Sequence, residues 1–118
     1  MGKSVLKDKS YAFAIRVVQL YKHLSSTKKE FVLSKQVLRS GTSVGALIRE
    51  AEFAQSKKDF ISKMSISLKE ANETVYWIDL LKDTGYLTEE EYSSMNKEIT
   101  EILKLLVSTV KTAKQNLK

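Results

Sequence analysis

The chain lacks cysteine and proline, and it has only four glycines among 118 residues. Without cysteine it can form neither a disulfide framework nor a thiolate metal site. Because proline and glycine are the residues that interrupt helices, their scarcity favours long helices. No stretch stays apolar and uncharged for the roughly 18 residues that a membrane span needs, and no signal-peptide pattern follows the N-terminal lysines. We therefore expect a cytoplasmic protein with no membrane contact.

Apolar residues recur every three or four positions in four segments, which predict helices near residues 8–25, 34–54, 57–83 and 89–116. No segment shows the alternating pattern of a strand. Short polar connections between long helices favour antiparallel neighbours. The sequence therefore predicts an all-α protein, a single domain over residues 1–118, folded as an antiparallel up-down-up-down four-helix bundle.

Local signals place several helix ends. Ser34 and Ser56 are predicted N-caps, and Thr88 with Glu91 forms a T-x-x-E capping box. Gly85 is a predicted left-handed stop, and the polar stretch over residues 25–30 reads as a loop. In the first helix, the predicted core stripe consists of Tyr11, Ala14, Ile15, Val18, Tyr21 and Leu24, widened by Phe13, Val17 and Leu20.

Gly41 and Gly45 stand one helical turn apart in the second helix. The segment lacks the Gly-Lys-Ser/Thr ending and the preceding strand of a phosphate-binding loop. Two glycines on one face of a helix allow a neighbouring helix to approach closely. Folding the first two helices together predicts that Val17 packs on Gly41 and Phe13 on Gly45.

Residues for catalysis or metal binding do not converge. The only histidine, His23, lies near the end of the first helix, and neither Glu70 nor Glu73 belongs to the Glu-x-x-His pair of a di-iron bundle. We therefore expect no enzyme activity, no metal and no cofactor. In the antiparallel register, Arg39 falls opposite Glu70 and Glu73, which predicts an interhelical ion pair that fixes register.

The second and third helices carry more apolar surface than one bundle core requires. Apolar residues left over after a core is filled usually pack against a partner. The predicted subunit contacts are Leu47, Phe53, Ile66, Tyr76, Trp77 and Leu80.

Positive charge is unevenly distributed. The net charge is +6, but residues 1–49 hold ten Lys/Arg against two acids, a net of +8, and the remainder has a net of −2. In an up-down bundle, one end gathers Lys3, Lys7, Lys9, Lys57, Lys58, Lys111, Lys114 and Lys118. These lysines are either solvated residues, some of which serve a helix dipole, or a surface that contacts nucleic-acid phosphates.

Two sequence blocks carry a family resemblance. Residues 36–46 (QVLRSGTSVGA) and the block from Asp59 to Leu81, with its Leu68-Lys69-Glu70-Ala71 and Tyr76-Trp77-Ile78 words, resemble the bacterial four helix bundle protein family. That family is also called the 23S rRNA-intervening sequence protein family. The chain is also similar to the accessory variability protein of diversity-generating retroelements. Leu47 departs from the pattern, in which asparagine is usual.

The resemblance implies a ring-like homopentamer. It also implies, through the retroelement member, binding of nucleic acid and of a reverse transcriptase. Two functions stay open at this point: a non-enzymatic oligomeric adaptor for RNA or DNA, and a structural or protein-interaction module with no nucleic-acid role.

Overall fold

A computed structural model describes the chain over residues 2–117, with side chains from residue 5 onward. It contains four helices: α1 (Gly2–Ser26), α2 (Leu33–Glu52), α3 (Lys57–Asp83) and α4 (Glu89–Gln115). No strand occurs in this part of the chain. The predicted all-α class and four helices are confirmed, and the largest difference is that α1 begins six residues earlier than predicted.

Each helix packs against its neighbours in sequence, and α1 also contacts α4, so the bundle closes. Among the described residues, no Cα atoms of α1 and α3, or of α2 and α4, come within 8 Å of each other, so these pairs lie across the diagonals. The first and second loops therefore lie at opposite ends of the bundle. We call the end that holds the α2–α3 turn and the chain termini the terminal end, and the other end the loop end.

One core runs through the bundle. Its fully buried large side chains include Phe13, Leu24, Ile48, Ile78, Leu81, Ile99, Ile102 and Leu106. Buried hydroxyls join α2 to α3 beside this core: Thr74 donates to Ser40 Oγ at 2.9 Å, and Ser67 donates to the Val44 carbonyl at 2.9 Å. No buried side-chain polar atom of the described residues lacks a partner. These hydroxyls fix the α2–α3 register without a desolvation penalty.

The predicted core stripe of α1 is wrong in its rotation. The helix buries Leu6, Ser10, Phe13, Val17 and Leu24. Three members of the predicted stripe instead point away from the bundle: Tyr11, Ile15 and Val18 are exposed. Leu24 of the predicted stripe is buried, as are Phe13 and Val17, which widen it. The contact of Val17 with α2 sets a rotation of α1 that exposes the other three.

The fit between α1 and α2 depends on Gly41. A Cβ atom built on Gly41 would lie 2.8 Å from Val17 Cγ2 and 3.0 Å from Val17 Cγ1, so only glycine permits this approach. The predicted Val17–Gly41 contact is confirmed. At Gly45 the nearest atoms belong to Ser10, whose carbonyl and hydroxyl oxygens lie 3.4 Å from a built Cβ.

Helix starts follow the predicted caps at α3 and α4. Asp59 N–H donates to Ser56 Oγ at 3.0 Å, and the Thr88–Glu91 capping box is complete. Gly85 has a φ of 87°, as the predicted stop requires. Ser34 is not an N-cap, because α2 begins at Leu33 and Ser34 is buried one residue inside it.

The cap of α2 comes from Glu30, a residue of the predicted loop over residues 25–30. Its carboxylate accepts the backbone N–H groups of Val32, Leu33 and Ser34 at 3.1, 2.9 and 2.7 Å. Burial raises the pKa of Glu30, but these three hydrogen bonds outweigh it and hold the pKa below its ordinary value. The carboxylate thus satisfies the orphan donors of the first turn and faces the positive end of the helix dipole.

Substitution of the two α2 glycines by alanine should have opposite effects. Alanine gains about 1 kcal/mol of helix propensity at either position. At Gly41 the new methyl overlaps buried, β-branched Val17, and such overpacking costs about 1–3 kcal/mol, so Gly41→Ala should be neutral to destabilising by up to about 2 kcal/mol. Gly45→Ala meets only ordinary contacts and should stabilise. Urea unfolding of both variants tests this, and a clear gain for Gly41→Ala would contradict the close contact.

Replacing the Glu30 carboxylate should destabilise the fold in a pH-dependent way. Loss of a helix cap costs about 0.5–2 kcal/mol, so Glu30→Gln should unfold more easily at neutral pH. Because the folded pKa is depressed, this stabilisation is complete above the unfolded value of about 4.3 and is lost as pH falls through the folded pKa. The difference between Glu30→Gln and wild type should therefore shrink toward pH 3. Glu90→Gln, which removes an exposed carboxylate from α4, is the control, and an equal pH trend in it would refute the assignment.

Candidate functional site

A polar cluster on the surface of the bundle joins α2 to α3. Arg39 Nη1 is 3.1 Å from Glu70 Oε1, and Arg39 Nη2 donates to Glu73 Oε2. Trp77 Nε1 also donates to Glu73 Oε2, at 2.9 Å. The Trp77 hydrogen bond and the Arg39 guanidinium together hold the pKa of Glu73 below its ordinary value. The predicted ion pair is therefore present with both glutamates, and the arginine side chain stays 50% exposed.

Apolar side chains surround this cluster on the outer side of the α2–α3 pair. The Tyr76 ring packs edge-on against Trp77 with centroids 4.9 Å apart. Tyr76 is 59% exposed and Ile66 is 41% exposed, whereas Leu47, Trp77 and Leu80 are half-buried. We call Ile66, Tyr76, Trp77 and Leu80 the α3 face.

Phe53 does not belong to the α3 face. It is 81% exposed and lies in the α2–α3 turn at the terminal end, whereas Tyr76 and Leu80 lie near the loop end of α3. The six predicted contact residues thus occupy two places, five on the outer side of α2–α3 and one at the turn.

A second exposed apolar stripe lies on α1. The sequence pattern predicts that its residues belong to the core. Tyr11, Ile15 and Val18 follow one another at i, i+4 and i+7, and with Lys22 they border a shallow groove of about 350 Å³. The Arg49 guanidinium lies 5.8 Å from the centroid of the Tyr11 ring. We call Tyr11, Ile15 and Val18 the α1 face. Extending the first helix back to Leu6 would have revealed the alternative buried stripe Leu6-Ser10-Phe13-Val17.

The predicted basic end contains two kinds of lysine. Lys7 pairs with Glu52 at 3.1 Å, and Lys9 pairs with Glu101 at 3.7 Å, so their charges are partly compensated. Four others, Lys57, Lys58, Lys111 and Lys114, are exposed and form no salt bridge with a described residue. We call these four the terminal lysines. The side chains of Lys3 and Lys118 lie outside the described residues.

Position along the helices distinguishes the terminal lysines. Lys111 and Lys114 lie near the C-terminus of α4, where a cation is favoured by the helix dipole. Lys57 and Lys58 are the first two residues of α3, where the dipole disfavours a cation, and the only acid in that turn is Asp59. Helix stability therefore accounts for the first pair and not for the second.

Potential metal ligands are scattered over residues 5–117. No group of three potential metal ligands occurs among them. None of the helices, as far as they are described, is long and apolar enough to cross a membrane. His23 is exposed in the last turn of α1 and lines a surface depression of about 210 Å³ together with Arg16 and Glu91.

Breaking the Arg39 cluster should cost little stability. Because the guanidinium is half exposed, Arg39→Met should lower the free energy of unfolding by about 0.5–1 kcal/mol, not by the 3–5 of a buried pair. Lys63→Met, which breaks the single Lys63–Glu50 pair on the same two helices, should cost less because it removes one contact instead of two. Urea titration followed by Trp77 fluorescence measures both. A loss of 3 kcal/mol or more at Arg39 would show that the cluster is buried in solution.

Comparison with known proteins places the chain among bacterial relatives. The crystal structure of a protein of unknown function from the S23 ribosomal protein family of Bacteroides thetaiotaomicron has 61% sequence identity and a TM-score of 0.93. The match covers 94% of this chain and 99% of the other. None of the curated proteins matches. The family model of the 23S rRNA-intervening sequence protein matches residues 3–108. The chain therefore belongs to the 23S rRNA-intervening sequence protein family.

Proposed function

We propose that the protein is a non-enzymatic oligomeric adaptor that binds RNA or DNA through the phosphate backbone at its terminal end. The observation that carries the proposal is the position of Lys57 and Lys58, two exposed cations at the helix end that repels them. Cations at the N-terminus of a helix lower its stability, because they face the positive end of the helix dipole. A bound anion offsets this cost. Lysine contacts position a phosphate backbone and read no sequence, so we expect binding with little base specificity.

The oligomer brings these cations together. The exposed α1 and α3 faces provide the apolar surface that a subunit contact requires, and the family resemblance favours a homopentamer. In a ring of parallel subunits, the terminal lysines of every subunit would lie on the same rim. A polyanion that spans several subunits would then gain affinity by multivalency. The resemblance to the accessory variability protein of diversity-generating retroelements implies binding of a reverse transcriptase, and a protein partner of that kind is part of the proposal.

The exposed apolar faces also favour the second candidate, a module that binds only proteins. In that case the positive net charge of the protein would serve only its solubility. The two functions differ in the salt dependence of nucleic-acid binding, because each phosphate contact releases counterions.

A charge-reversal pair tests the nucleic-acid site. The test variant carries Lys57→Glu, Lys58→Glu, Lys111→Glu and Lys114→Glu. The control carries the same charge change at Lys28, Lys29, Lys35 and Lys97, four exposed lysines that form no salt bridge with a described residue. Fluorescence anisotropy with a labelled single-stranded RNA measures affinity between 50 and about 200 mM salt, the range over which counterion release is steep.

The test variant should lose affinity for every RNA sequence. The slope of log K against log salt should fall by about 3 for each subunit that the RNA contacts, which is four contacts at about 0.7 each. The control should retain most of the affinity. Equal losses in both variants would show binding by net charge alone, and a larger loss in the control would move the site to the α1–α2 loop. Absence of salt-dependent binding by the wild type would favour the protein-interaction module.

A further inference from the structure

The α1 face and the α3 face lie on opposite corners of the bundle. Helices α1 and α3 are diagonal partners, and the exposed side chains of both point away from the core. Each face presents apolar residues along more than one helical turn at similar depth along the bundle, since α1 and α3 run in the same direction. Because the two faces lie on different sides of the subunit, one two-fold contact, which uses the same patch of both subunits, cannot bury both.

The surroundings of the two faces have opposite charge. Lys22 and Arg49 flank the α1 face. Between Lys9 and Arg49 the sequence has one acid, Glu30, whose carboxylate is committed to the α2 cap. The exposed Asp8, one turn before Tyr11, is the one acid of α1 beside this face, and the two cations outnumber it. Beside the α3 face, the one charge of Arg39 is outnumbered by Glu70 and Glu73, and Asp83 follows at the helix end. Only Lys69 adds a cation there.

We propose that the α1 face of one subunit packs against the α3 face of a second copy, head to tail, with the two bundles parallel. This inference rests on the oligomer of the proposed function and names the surfaces that build it. Apolar burial supplies the attraction, and the charges decide the pairing and its direction. With parallel bundles, Lys22 near the end of α1 meets Asp83 at the end of α3. With antiparallel bundles, Lys22 would meet the beginning of α3, where Ser62 is the exposed outward residue.

Mixing two assembly-deficient variants tests the pairing. Ile15→Glu with Val18→Glu disables the α1 face, and Ile66→Glu with Tyr76→Glu disables the α3 face. All four side chains are exposed, so both variants should fold, which circular dichroism checks. Each variant alone should be monomeric by sedimentation velocity. An equimolar mixture should form a 1:1 dimer that does not grow, because only one intact face remains on each partner.

Three outcomes overturn the pairing: a mixture that stays monomeric, either variant forming a dimer by itself, or either variant keeping the wild-type size. If the wild type is itself monomeric, the proposed oligomer fails and the pairing with it. If the wild type is oligomeric and the mixture gives no dimer, only the head-to-tail pairing fails.

Crosslinking tests the direction. The chain has no native cysteine, so only introduced thiols react. Lys22→Cys with Asp83→Cys should give a ladder of crosslinked oligomers with a short bis-maleimide. A bond within one subunit is excluded, since the two sites face outward from opposite corners of a bundle about 20 Å across. Lys22→Cys with Ser62→Cys is the matched control and should stay uncrosslinked. A ladder from the control and none from the first pair would establish antiparallel subunits and overturn the proposal.

Discussion

The contact between Val17 and Gly41 fixes how α1 is rotated in the bundle. Val17 is fully buried and stiff at χ1, and no side chain larger than hydrogen fits opposite it. Once Val17 is seated there, Leu6, Ser10 and Phe13 turn inward on the same side of the helix. Tyr11, Ile15 and Val18 necessarily turn outward. A close helix–helix contact in the core thus decides which apolar residues are available to a partner.

The charged side chains are likewise divided between contacts within the bundle and positions exposed to a partner. Among residues 9–49 the only acid, Glu30, caps α2, and three of the cations, Lys9, Arg16 and Arg39, pair with carboxylates of α4 and α3. Other lysines, including Lys28 and Lys29 at the loop end and Lys57 and Lys58 at the terminal end, form no salt bridge with a described residue. At the start of α3 the exposed lysines oppose the helix dipole. The proposed function assigns the apolar faces to subunit contacts and these lysines to a polyanion.

Much of the fold was predictable because its signals are local. Helical spacing predicted all four helices, and the Thr88–Glu91 box and the Ser56 cap marked two starts that the structure confirms. The Arg39 contact followed from the antiparallel register alone. The failures arose where two local patterns compete and tertiary packing chooses. Helix α1 has two apolar stripes, and only the fit to Gly41 selects one. Glu30 is a polar residue among polar residues, and only the geometry of the loop brings its carboxylate to α2.

Subunit contacts and partners depend on which side chains are exposed. The helical spacing of apolar residues predicts the helices well but does not predict which of two apolar stripes is exposed. Five of the six predicted contact residues do lie together on the outer side of α2–α3. The exposed apolar residues of α1 that we propose as their binding partner were predicted to lie in the core instead.

Native mass spectrometry of the wild-type chain at micromolar concentration tests the central claim most directly, because the whole account assigns exposed apolar faces to contacts between copies. We predict a closed oligomer with a single subunit number. A monomer as the dominant species would contradict the account.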